Sequence, residues 1–294
     1  MISVAKRLLA LLCGIILLGN LCGCALAGLY QLGEGITAAI PDPAIPLEER
    51  SSGRFTYKTA GGVDLSINVA QPFRDIYPKS PIILSIHGGN WAFNPIGDPH
   101  VPALPDTNNL RMEGWASVAI NYRGFEHGGS LSDLLGDLVD GLGYINEHND
   151  EFVMDLERIV VIGQSAGGHT GLLLALAPQS LLMQSANHTD FSFRAIGCIA
   201  LVPPTIMGED AYSPLNHIRK DMPPVMIVGA EKDTVVSPVN SYRFYNEARN
   251  VGADCTLIML KNANHAFQAV GGEIDPPLSE YYDSAYAFVQ DCIK

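Results

Sequence analysis

The stretch Arg158 to Gly168, RIVVIGQSAGG, restricts the fold more than any other part of the chain. An apolar run leads into a turn flanked by glycines, and Ala166 to Ala177, rich in leucine and alanine, follows at once. That is a strand entering a helix through a tight turn, with the Ser165 hydroxyl projecting at the carboxyl end of a sheet. The start of the helix beneath it favours developing negative charge.

The same alternation recurs along the chain. FTYKTA and VDLSINVAQP read as two opening strands around Gly61-Gly62, followed by PIILSIHGG, WASVAINYRG, FRAIGCIALVPP, PPVMIVGAEKD and DCTLIMLKN. Short runs this rich in Val, Ile and Leu suit strands buried on both faces. Helical patterns lie between them at Ser132 to His148, Ala166 to Ala177, Val239 to Asn250 and Ser279 to Ile293. Strand and helix in repeated alternation predict an α/β fold, with a mostly parallel central sheet and helices on both faces. Gln179 to Asp190 and Thr205 to Asp221 have weak periodicity and read as surface loops or a small cap. With 294 residues, 47% hydrophobic and 17% charged, the chain can build one large core and is not a disordered sequence. Its 18 Lys+Arg against 31 Asp+Glu leave a net charge of −13, so no basic face for nucleic acid is expected.

A serine hydroxyl needs a base and an orienting acid, in the order Ser, Asp or Glu, His for this kind of turn. His265 follows the last strand run and Asp233 follows the run ending at Val228, with Glu231 as its rival. His265 would take the Ser165 proton, and Asp233 would fix the imidazole tautomer. As an alternative, Asp233 caps the helix beginning near Val239. In His87-Gly-Gly-Asn-Trp91, Gly88 or Gly89 would give one oxyanion donor and Ala166 the second. Asn90 and Trp91 either line the substrate pocket or brace the loop, and His87 reads as a residue holding that loop. No CxxC or HExxH pattern supports a metal site. Cys198 falls in a core run, while Cys255 and Cys292 could bridge in an oxidising compartment.

The chain opens with Lys6 and Arg7 ahead of an uncharged run from Leu8 to Gly33, the order of an export signal. Leu21-Cys22-Gly23-Cys24 resembles a bacterial lipobox, in which Cys24 would be lipidated after cleavage. The expected organisation is a signal at 1–24, a Pro- and Ala-rich tether at 25–54, and a catalytic domain at 55–294 in the cell envelope. An uncleaved membrane anchor and free secretion are the alternatives. Cleavage would remove two positive charges and no negative ones, taking the chain from −13 to −15.

HGGNW (87–91), NYRG (121–124), GQSAGGH (163–169), Asp233 and His265, in this order, resemble the α/β-hydrolase superfamily. The chain is most similar to its esterase/lipase group, which includes hormone-sensitive-lipase-like carboxylesterases, feruloyl-esterase-like enzymes and arylformamidases. Lipase-type members often carry a third glycine where this chain has Asn90, and YRLAP where it has Tyr122-Arg-Gly-Phe-Glu126. Those departures favour the HGGxW branch. The resemblance implies hydrolysis of a small or polymer-borne carboxylic ester, less often an amide, through an acyl-serine and without metal or organic cofactor. The competing readings are an amide hydrolase of arylformamidase or peptidase type, and a catalytically idle fold used for binding.

The lipobox pattern generates the first prediction. Cys24→Ser is expected to release the protein from membranes or leave an uncleaved precursor. Intact-mass analysis of the membrane fraction should find an acylated chain starting at Cys24. An unmodified chain starting at Met1 identifies an anchor instead, and cleavage elsewhere without lipid identifies a secreted protein.

Overall fold

The computed structural model describes residues 45–94 and 107–294. The apolar runs become β1 (Gly53–Ala60), β2 (Val63–Ala70), β3 (Ser80–Ile86), β4 (Ala116–Ile120), β5 (Met154–Gln164), β6 (Ala195–Leu201), β7 (Val225–Ala230) and β8 (Cys255–Leu260). They form one sheet in the order β1-β2-β4-β3-β5-β6-β7-β8. β1 and β2 pair antiparallel, as do β2 and β4, and the remaining neighbours are parallel. Every residue of β3, β4 and β7 is buried, as expected for strands covered on both sides.

The described helices are α1 (Thr107–Met112), α2 (Leu131–Glu147), α3 (Asn149–Phe152), α4 (Ala166–Leu176), α5 (Gln179–Leu182), α6 (Val239–Val251) and α7 (Leu278–Cys292). Side chains of α2, α4 and α6, such as Leu138, Leu172 and Phe244, pack one face of the sheet. Leu110 of α1, and Tyr281, Ala285 and Val289 of α7, pack the other beside Trp115. α2 starts at a capping box, with the Ser130 side chain and the Asp133 carboxylate each satisfying the other's backbone N–H. The segment from Thr205 to Asp221 holds two 3-10 turns, Asp210–Tyr212 and Pro214–His217, and the side chain of Thr205 is buried. It is a packed loop with its own hydrogen bonds.

The leader, Cys24 and the tether up to residue 44 lie outside the described residues. Packing reaches back ahead of Phe55: the buried Arg50 guanidinium pairs with Asp75 at 2.6 Å and reaches Ser80 Oγ at 3.5 Å. Cys198, Cys255 and Cys292 are free thiols, so Cys255 and Cys292 do not bridge. Among the described residues no helix is long and apolar enough to cross a membrane, and no His, Cys, Asp or Glu cluster could hold a metal ion.

One charged cluster is buried. Asp137 and Asp140 of α2 are fully inaccessible, and Lys58 of β1 reaches them at 2.8 and 2.5 Å. Asp137 also accepts the Arg123 side chain twice, at 2.8 and 2.7 Å, and the Arg123 backbone N–H at 3.0 Å. Removing one partner would leave the others charged and poorly hydrated. Asp137→Ala is therefore expected to destabilise the protein by about 3–5 kcal/mol, read from the urea unfolding midpoint.

Candidate active site

Ser165 sits between β5 and α4 at φ 55 and ψ −121, a strained conformation for a residue with a side chain. Its N–H donates to Leu201 O at 2.8 Å and its carbonyl accepts from His169 N at 3.0 Å, so neighbouring backbone holds the turn. Two glycines admit the approach. A Cβ on Gly167 would strike the carbonyl of Ile86, and one on Gly88 would lie 2.6 Å from the Gln164 carbonyl. The Gly88 loop thus presses directly on the turn that carries Ser165.

His265 lies beyond β8, on a loop folded back by the bridges Lys261 to Asp275 and Ala263 to Ala269. Asn264 Oδ1 accepts from the N–H groups of Ala266 and Gln268, both at 3.0 Å. The His265 ring donates from Nδ1 to Asp233 Oδ2 at 2.7 Å. Asp233, at the carboxyl end of β7, is buried, and its Oδ1 accepts from Val235 N and Val236 N at 2.8 and 2.9 Å. The rival Glu231 is half exposed beside Lys232. Helix α6 is N-capped by Pro238 without a side-chain bond, so Asp233 is not its cap. Gln164 adds a link between the loops, donating from Nε2 to the His265 carbonyl at 3.1 Å.

Ser165 and His265 open on one cavity of about 940 Å³, together with Gly88, Gly89, Asn90 and Trp91. Its far walls are apolar, from Pro204, Ile206, Met207, Val235 and Val236. No Lys, Arg, Asp or Glu is among its described lining residues. Ala166, the third expected oxyanion residue, is the first residue of α4, where a backbone N–H has no acceptor within the helix. The loop after β3 is unusual: Gly89, Asn90 and Trp91 all have positive φ, at 111, 58 and 57.

His87 lies under that loop. Its ring stacks on Tyr122 with centroids 4.3 Å apart, and Tyr122 donates its hydroxyl proton to the His87 carbonyl at 3.0 Å. Burial lowers the His87 pKa and raises that of Tyr122, so both rings stay neutral in the working range. His169, a turn beyond Ser165 on α4, is fully buried against Trp91 and Tyr212, and burial brings its pKa down to about 4. In the sequence His169 stands only as the last residue of GQSAGGH. The signal that could have singled it out is its place four residues after the serine, on the turn of helix facing the same loop.

A strained serine at a strand-to-helix turn, and a histidine held by a buried carboxylate at the ends of later parallel strands, define the α/β-hydrolase class. The chain has the α/β-hydrolase fold and is similar to esterases of that superfamily. Residues 72–207 match the family model described as BD-FAE. Among curated relatives, a protein named probable carboxylic ester hydrolase LipM, from Mycobacterium tuberculosis, is 25% identical over 84% of this chain and 64% of its own length. An acetylxylan esterase from Xylanibacter ruminicola is 23% identical over 65% of this chain and 42% of its own. The chain thus spans less than two thirds of these relatives. The apo form of Thermogutta terrifontis esterase 2 shares the fold with a TM-score of 0.66 at 23% identity, over 84% of this chain and 96% of that one.

The buried His169 makes folding pH-dependent. Its pKa is near its ordinary 6.5 in the unfolded chain and about 4 in the folded one. Above 6.5 it is neutral in both states and contributes nothing to the balance. Below 6.5 only the unfolded chain takes the proton, so stability is lost as pH falls, at about 1.4 kcal/mol per pH unit and roughly 3 kcal/mol in all. Urea unfolding between pH 7 and 4 should show this loss, and His169→Gln should flatten it.

Proposed function

We propose that the protein is a serine hydrolase that cleaves carboxylic esters through an acyl-serine. The observation that carries the reading is the pairing of His265 with buried Asp233 at 2.7 Å on the cavity that Ser165 also faces. Ser165 is the nucleophile, His265 the general base and Asp233 the group that orients it. Asp233 accepts from Nδ1, which leaves Nε2 free to take a proton from the Ser165 hydroxyl. The serine oxygen adds to the ester carbonyl, and the resulting oxyanion is held by the Ala166 N–H and an N–H of Gly88 or Gly89. His265 returns the proton to the leaving alcohol. Water, deprotonated by the same ring, then releases the acid and restores the serine.

The names of the relatives, which include esterases and a carboxylic ester hydrolase, support the ester reading. The absence of charge from the described lining favours an uncharged substrate, and Asn90 and Trp91 are candidates to touch it. A protein named acylamino-acid-releasing enzyme, from Arabidopsis thaliana, is also a relative, so amide substrates belong in the same assay. The leader supports an enzyme exported to the cell envelope and held there by its N-terminus.

An organophosphonate probe tests the chemistry, because it adds only to a serine served by a base and an oxyanion site. Stoichiometric labelling is expected on the peptide containing Ser165. Ser165→Ala should abolish both label and ester hydrolysis, and His265→Ala should lower kcat by about three orders of magnitude or more. Asp233→Asn should be nearly as severe, since Glu231 does not reach the ring. Folded protein without label at Ser165, or active Ser165→Ala, would turn the assignment toward the idle fold or another serine.

A further inference from the structure

Trp91 Nε1 lies 3.1 Å from His169 Nδ1, and His169 Nε2 lies 2.8 Å from the Tyr212 carbonyl. An indole N–H can only donate and a carbonyl can only accept. His169 Nδ1 is therefore bare and Nε2 carries the proton, and only this neutral tautomer satisfies both neighbours. The ring is fully buried on α4, one helical turn past Ser165.

Each neighbour belongs to a different part of the cavity. Trp91 ends the positive-φ run Gly89, Asn90 and Trp91, in which Asn90 and Trp91 carry side chains in a conformation that costs energy. Its indole is also stacked on Phe125, with centroids 5.8 Å apart. Tyr212 precedes Ser213, whose hydroxyl oxygen accepts the Met207 N–H at 2.8 Å, and Met207 is part of the apolar wall.

We infer that His169 is a positioning residue that sets the oxyanion loop, through Trp91, and the Met207 wall, through Tyr212, from one buried imidazole. The inference rests on the serine hydrolase reading above. The two links act on different quantities. The Trp91 link holds donors that act on the oxyanion and so governs kcat, whereas the Tyr212 link shapes the wall against which substrate packs and so governs KM.

Three variants of the full chain separate these links. Trp91→Phe keeps a ring against Phe125 but removes the N–H donor together with part of the indole, so kcat should fall about 10- to 100-fold, whatever the loss of pocket surface does to KM. His169→Phe cuts both links, so kcat should fall and KM should rise several-fold. His169→Gln restores an acceptor and a donor spaced much as in the imidazole, and should recover most of both losses. A readout independent of turnover comes from the indole N–H resonances, since the chain has only two tryptophans. Trp91→Phe identifies its resonance, which should move toward the free-indole position in His169→Phe and stay displaced in His169→Gln.

If His169→Phe does not fold, Trp91→Phe and His169→Gln carry the comparison. Wild-type kcat in Trp91→Phe overturns the oxyanion link, and unchanged KM in His169→Phe overturns the wall link. A Trp91 resonance indifferent to His169→Phe, or already at the free-indole position in wild type, overturns the bridge. Wild-type protein that neither turns over ester nor takes the phosphonate fails the hydrolase reading instead, and the resonance still decides whether the bridge forms.

Discussion

The site depends on one steric fact: three backbone segments meet with no room for a side chain between them. The turn at Ser165, the end of β3 at Ile86 and the loop at Gly88 lie so close that a methyl group on Gly167 or Gly88 would collide with a carbonyl. Such contact holds Ser165 in a conformation costing about 1–3 kcal/mol, which the surrounding packing must offset. It also explains why the serine and the Gly88 loop share one cavity although 77 positions separate Gly88 from Ser165 in the chain. The parallel pairing of β3 with β5 sets the two strand ends side by side, Ile86 against Gly163.

Around that contact, polar groups are fixed by partners distant in sequence. Asn121, Tyr122 and Arg123 illustrate the pattern. The Asn121 side chain accepts the Ser66 N–H of β2 at 2.6 Å, Tyr122 bonds the His87 carbonyl at 3.0 Å, and Arg123 lies on Asp137 of α2. Three consecutive residues thus tie their loop to β2, to the His87 end of the Gly88 loop and to α2. The apolar core supplies most of the driving force for folding, while these bonds select one arrangement of the loops at its rim.

The interior of the sheet was legible because burial on both faces leaves a plain mark, the apolar runs of β3, β4 and β7, while the opening hairpin was marked by its Gly61-Gly62 turn. Ser165, Asp233 and His265 could be placed together from sequence for a related reason, since Ser165 directly follows β5 and the other two lie in the short loops just after β7 and β8. Asp233 was favoured over its rival Glu231 from sequence, but which way the turn points each carboxylate was not visible there. The two N–H groups of Val235 and Val236 decide it. His169 was illegible as a bridge because its partners, an indole 78 positions upstream and a carbonyl 43 positions downstream, leave no local pattern. The Lys58, Asp137 and Arg123 cluster was hidden in the same way, for charges read from sequence are assigned to the surface by default.

The buried Arg50 has a mechanical consequence. β1 is an edge strand, and edge strands peel easily when a chain is pulled from one end. Arg50 lies just ahead of it and is pinned to Asp75 and to Ser80, the first residue of the interior strand β3. Tension arriving along the chain from before residue 45 would therefore load the middle of the sheet before it could open the β1 to β2 hairpin. In a chain whose N-terminus is held at a surface, Arg50 would act as a strain relief, keeping movement of the leash from reaching the fold.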